Sequence, residues 1–147
     1  MKDHNRPAPN GDRVLVSACL LGRNCKYSGG NSFSPRVADF LRNREAVAVC
    51  PELMAGLGVP RTPMEIVDGL LTDREGKVHD GALRAVVAEI LEQYGDVGCA
   101  VLKSRSPTCG VRQIYDGSFS GHLIDGAGVL ARALLDAGWQ VYDSEEL

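Results

Sequence analysis

Four short apolar runs, Arg13–Ser17, Ala46–Cys50, Val97–Leu102 and Gln140–Tyr142, alternate along the chain with stretches whose apolar residues recur at helical spacing. Unbroken apolar runs of this length read as strands buried on both faces, and strands separated by helices imply βαβ units. Ser34-Pro35 offers an N-cap followed by a proline in the first turn, predicting a helix to about Asn43. Asp80–Tyr94 sets Leu83, Val86, Val87, Ile90 and Leu91 on one helical face, with Gly95 as a stop; Leu123–Ala137 does the same with Leu130, Leu134 and Leu135, ending at Gly138. The expected fold is therefore α/β: a single-domain three-layer sandwich with a mainly parallel sheet. Ile66–Val78, with a turn near Asp73–Gly76, predicts a small hairpin on one edge of that sheet. Residues 13–147 are read as the single domain and residues 1–12 as a flexible leader.

A chain of 147 residues has the usual size of one domain with one substantial core. With 16 Lys+Arg against 19 Asp+Glu and a net charge of −3, it lacks the basic footprint of a general nucleic-acid binder, and 5% aromatic residues advertise no base-stacking surface. Large nucleic acids are therefore not expected as partners. No apolar run approaches the roughly 20 residues that cross a bilayer, and the polar start has no signal-peptide core, so no membrane association and a cytoplasmic location are expected. That compartment keeps thiols reduced. Five cysteines there point to metal binding or catalysis before disulfides.

In an open α/β sheet, ligands bind beyond the carboxyl ends of the strands. Cys19 follows the first predicted strand, Cys50 closes the second, and Cys109 lies in LKSRSPTCG beyond the third, so the fold gathers three thiols at one rim. Cys99 lies within a strand and reads as a packed thiol; Cys25, in SACLLGRNCKYSGG, reads as secondary: a fourth ligand, a resolving thiol or neither. Three thiols without a histidine cluster fit zinc or an iron-sulfur centre. A metal-independent cysteine nucleophile or thiol-redox enzyme is the alternative, as is a zinc- or nucleotide-binding module. Glu52, two residues after Cys50, is a candidate acid or base, and Ser104, Ser106 and Thr108 crowd Cys109. Ser28, Gly29, Gly30, Asn31 and Ser32, leading into a helix start, and Lys103 are candidate contacts for an anionic substrate. His4, His79 and His122 read as surface or capping residues, Met54 and Met64 as packing, and Trp139 as a core aromatic.

The segments VLVSACLLG, CPELMAGLGVPRTPMEI and LKSRSPTCG, in this order, resemble the bacterial family of thiouracil desulfidases, from about Arg13 to the C-terminus. The resemblance implies a Rossmann-like domain carrying a [4Fe-4S] cluster held by Cys19, Cys50 and Cys109, with one iron left open. It also implies catalytic roles for Glu52 and Ser106. The implied reaction is a non-redox removal of sulfur from 2- or 4-thiouracil or thiouridine nucleotides, leaving a uracil derivative and sulfide. Water activated by Glu52 would attack the ring carbon, and Ser106 would position the substrate or relay a proton. A small thiopyrimidine is the implied substrate partner, and iron-sulfur assembly machinery is implied as well.

Overall fold

In the computed structural model, which describes residues 13–147, the elements run β1 (Arg13–Ser17), α1 (Pro35–Phe40), β2 (Glu45–Val49), α2 (Pro51–Met54), β3 (Met64–Val67), β4 (Leu70–Asp73), α3 (Asp80–Tyr94), β5 (Cys99–Leu102), β6 (Gln113–Tyr115), β7 (Leu123–Asp125), α4 (Val129–Asp136) and β8 (Gln140–Asp143). The leader expected at residues 1–12, with His4, lies outside the described residues. Four strands pair in parallel in the order β2-β1-β5-β8, with Leu15 opposite both Val47 and Ala100, and Val101 opposite Tyr142.

Alternation along β1 sorts its side chains between two apolar layers. Val14 and Val16 pack with Val37 of α1, Leu41 and Val101; Leu15 packs with Leu83, Val86, Val87 and Ile90 of α3 and Leu130 and Leu134 of α4. The sheet is thus covered on both faces, as the unbroken apolar runs require. Helix α3 spans the range its periodicity predicts, and α1 opens at Ser34, whose Oγ accepts from the Val37 amide at 3.2 Å.

Several boundaries differ from the sequence reading. The expected helix at Leu123 begins only at Val129, because Leu123–Asp125 pairs antiparallel with Gln113–Tyr115 and sets Ile124 opposite buried Ile114. The third predicted strand starts at Cys99 rather than Val97, since Gly98 adopts a left-handed φ of 76°. The hairpin does not extend an edge of the parallel sheet: β3 and β4 form a two-stranded sheet of their own. Its connection is Asp68-Gly69, with φ of 51° and 81°, the double positive φ of a hairpin turn. The turn read at Asp73–Gly76 follows β4, where the Asp73 carboxylate accepts the amides of Glu75 and Lys77.

Met64 and Trp139 are buried as expected, whereas Met54 is 46% exposed on a helix of four residues that has too little length to bury it. His79 is the residue before α3, its ring 2.9 Å from the Asp73 carboxylate; His122 is exposed.

Candidate active site

The strand order reverses between β1 and β5, so connections leave these neighbours in opposite directions and open a crevice at their carboxyl ends. A cavity of about 450 Å³ lies there, the size of a small-molecule site. Cys19, Cys50 and Cys109 all line it, together with Cys25. Cys19 sits in a 3-10 turn that continues β1, and Cys50 caps α2 immediately after β2. Cys109 belongs to the loop after β5. Cys99, by contrast, packs among apolar residues on the α1 side of the sheet.

Each thiol loop is held by backbone bonds. The Cys19 carbonyl accepts from Gly22 and from Ser32, which closes the 22–33 loop back onto the turn. Around Cys109, the Ser106 hydroxyl oxygen accepts the amides of Thr108 and Cys109 at 3.1 and 3.0 Å. The start of α4 completes the clamp: its free amides, which a helix leaves without internal partners, donate from Gly128, Val129 and Leu130 to the carbonyls of Gly110, Pro107 and Thr108. Gly128 permits this approach, since a Cβ there would stand 2.5 Å from the Thr108 carbonyl carbon.

Glu52 enters the cavity from α2 and is bound on both oxygens. Arg61 Nε donates to Oε1 at 2.8 Å and the Thr108 hydroxyl donates to Oε2 at 2.8 Å, joining the loops after β2 and β5. Arg61 also donates to the carbonyls of Cys25 and Gly58. With side chains only 8% and 12% exposed, Arg61 and Glu52 form the buried ion pair of the site.

Charge and burial act oppositely on the thiols. Burial pushes the Cys19 thiol up, against the pull of Lys103. Burial likewise raises Cys109, opposed by a hydrogen bond from the Ser17 hydroxyl, and lifts Cys25 to about 12 with help from neighbouring Cys50. Burial, followed by nearby Arg105, lowers the Lys103 ammonium. Thiols held protonated in this way are poor free nucleophiles at neutral pH but bind metal once deprotonated.

The donor set also selects among metals. Among the described residues, no three His, Cys, Asp or Glu side chains converge tightly enough to hold one metal ion. A tetrahedral zinc site with bonds of about 2.3 Å needs its sulfurs only about 3.8 Å apart. In an iron-sulfur cluster each thiolate takes a different iron, so more widely spread sulfurs suit it. Three thiols around one cavity, beside Lys26, Lys103 and Arg61, fit such a negatively charged group better than a single zinc ion.

The other expected residues divide. Lys103, Glu52 and Ser106 line the cavity. Ser28, Gly29, Gly30, Asn31 and Ser32 are not among its lining residues: they shape the returning loop, with Gly29 at φ 84° and the Asn31 carboxamide bonded to Asn24 and to the Phe33 amide. Sequence reasoning passed over Arg61, Ser17, Glu65, Arg74, Tyr115 and Phe119, all of which face the cavity. Only Arg61 carried a local signal, a lone cation between Pro60 and Pro63.

Comparison with known proteins identifies the family. The uncharacterized protein YbbK of Bacillus subtilis (strain 168) is 35% identical over 150 aligned residues, covering 91% of this chain and 97% of its own. Among solved structures, the [4Fe-4S]-dependent thiouracil desulfidase TudS superposes with a TM-score of 0.84 at 31% identity, covering 92% of this chain and 93% of its own. The sequence profile of the 2-thiouracil desulfurase family matches residues 14–146. By sequence and by fold, the chain belongs to the 2-thiouracil desulfurase family.

Proposed function

We propose that the protein hydrolytically removes sulfur from thiolated pyrimidines, 2- or 4-thiouracil or thiouridine nucleotides, exchanging a thiocarbonyl and water for a carbonyl and sulfide without net redox change. The observation that carries this reading is the meeting of Cys19, Cys50 and Cys109, from three separate loops, around one cavity at the carboxyl end of the sheet. These three thiolates are the proposed ligands of a [4Fe-4S] cluster, supplied by iron-sulfur assembly machinery in a reducing cytoplasm. When bound through three cysteines, such a cluster supplies a Lewis acid for the substrate's sulfur through the iron that has no protein ligand.

Glu52 acts as the base. Arg61 and Thr108 each hold one carboxylate oxygen and leave lone pairs on both to accept a proton from the attacking water. Ser106 accepts two amides through its oxygen, so its hydroxyl hydrogen remains to donate toward the substrate or the departing sulfur. Lys103, fixed by Ser104 and facing the same cavity, supplies positive charge where sulfide forms.

Anaerobic purification with iron and sulfide assays, followed by loss of the thiocarbonyl absorbance of 2-thiouracil, 4-thiouracil and 4-thiouridine monophosphate, tests this reading. About four irons per chain and turnover of at least one substrate are expected, with both lost in Cys50→Ala. Desulfuration that survives the loss of iron would sink it.

A further inference from the structure

The cysteines form only one part of the cavity wall. Another part comes from the two hairpins: Met64 and Glu65 of β3, Arg74 beyond β4, Tyr115 of β6, and Phe119 and Gly121 from the tip between β6 and β7. Phe119 is held there in an unusual way. Its φ is 56°, a left-handed backbone that a bulky residue adopts only when its surroundings impose it. The imposing group is Glu65, a buried carboxylate at 9% exposure, whose Oε1 accepts the amides of both Gly117 and Phe119, at 2.9 and 3.1 Å. Gly117 itself lies so close to β3 that a Cβ would stand 2.5 Å from the Ile66 carbonyl oxygen. The Arg74 guanidinium, which also lines the cavity, lies 5.9 Å from the Phe119 ring centroid.

A buried carboxylate, a close backbone approach and a strained residue thus fix one half-buried aromatic ring at a cavity whose other walls carry thiols, carboxylates, cations and the phenol rings of Tyr27 and Tyr115. We propose that Phe119 is the surface on which the pyrimidine ring of the substrate stacks, and that Glu65 is the positioning residue that holds it there. The inference deepens the desulfurase reading and rests on it. Stacking suits this task because it grips the flat heterocycle while leaving the thiocarbonyl edge free to meet the thiol-bearing loops. It is also indifferent to which ring carbon bears sulfur, so one platform serves 2- and 4-thio substrates.

The test uses the full-length, iron-loaded protein with two readouts: KM and kcat for 2- and 4-thiouracil, and equilibrium binding of uracil, which carries no sulfur and needs no chemistry. Phe119→Ala is expected to raise KM and the uracil Kd by roughly 5- to 150-fold, the range for losing one base-aromatic stack, while iron content and the visible spectrum stay unchanged. Phe119→Tyr retains the ring and should stay near the wild-type values. Glu65→Ala should follow Phe119→Ala, whereas Glu65→Gln, whose carbonyl oxygen still accepts both amides, should restore binding. If Glu65→Ala fails to fold, the Phe119 pair decides. Wild-type turnover with an unchanged KM and uracil Kd in Phe119→Ala overturns the stacking alone. Wild-type protein that consumes none of 2-thiouracil, 4-thiouracil and 4-thiouridine monophosphate, and binds neither uracil nor uridine monophosphate, overturns the desulfurase reading and the stacking with it.

Discussion

Replacing Arg61 by alanine tests whether the Glu52 network is a structural unit. The substitution strips Glu52 Oε1 of its guanidinium partner and the carbonyls of Cys25 and Gly58 of a donor each. Breaking a buried ion pair from one side costs about 3–5 kcal/mol, because the remaining charge is desolvated and unpaired. The Thr108 hydroxyl stays on Oε2 and the cavity admits water, so the low end applies, about 3 kcal/mol. With a urea m-value of about 2 kcal/mol/M, the midpoint should fall by about 1.5 M. Glu52→Gln/Arg61→Ala leaves no orphaned charge and should recover about 1 kcal/mol or more of that loss, giving a clear non-additive coupling. Arg61→Lys keeps the charge without the planar fork and should fall between wild type and alanine. Urea unfolding, with iron assayed beforehand so that lost metal is not mistaken for a lost ion pair, decides the matter. A midpoint within about 0.3 M of wild type, or strictly additive variants, would refute the reasoning.

Other perturbations read different parts of the molecule. Gly128→Ala forces a Cβ against the Thr108 and Pro107 backbone and should cost about 1–3 kcal/mol or more through overpacking; because the strain falls on the Cys109 loop, iron content should drop with the thermal midpoint. Cys25→Ala should retain about four irons per chain, and their loss would make Cys25 a fourth ligand. Asp73 is held below the usual carboxylate range by the His79 ring first and the Lys77 amide next, so its contribution is full above its unfolded value of about 3.9 and fades as pH falls through the folded value. Asp73→Asn should therefore be less stable than wild type at pH 7, with the gap in thermal midpoint narrowing below about pH 4; a constant gap would remove Asp73 from the account of acid sensitivity.

What the sequence made legible follows from how local each signal is. Unbroken apolar runs and the 80–94 periodicity report burial directly, and they located all four strands of the parallel sheet and its longest helix. The three-residue strand Leu123–Asp125 has no period of its own, and its apolar pair merged with the helical pattern of α4; Gly126 and Gly128 were the only marks of the break. Asp68-Gly69 was a stronger turn signal than Asp73–Gly76, but two turns lie five residues apart and the chain uses both. At the site, the cysteines followed from topology because residues just after parallel strands must share one rim. Arg61, Glu65 and Phe119 reach the cavity through hydrogen bonds between loops and hairpins far apart in sequence, such as Glu65 to Phe119, and no spacing rule encodes such meetings.

The same bonds tie each thiol-bearing loop to neighbouring backbone within the protein. A metal site assembled from flexible loops spends binding energy on ordering them, which is how small zinc domains come to depend on metal for folding. Here the Cys19 turn is closed by the Gly22 and Ser32 amides, the Cys50 carbonyl accepts the first bond of α2, and the Cys109 loop is clamped between Ser106 and the start of α4. The sheet beneath is buried on both faces, and Cys19, Cys25 and Cys109 of the rim pack into the same apolar layers. Under the proposed reading, in which Cys19, Cys50 and Cys109 hold a cluster, these loop bonds reduce the ordering that binding has to supply, so more of its free energy goes to displacing protons from buried thiols.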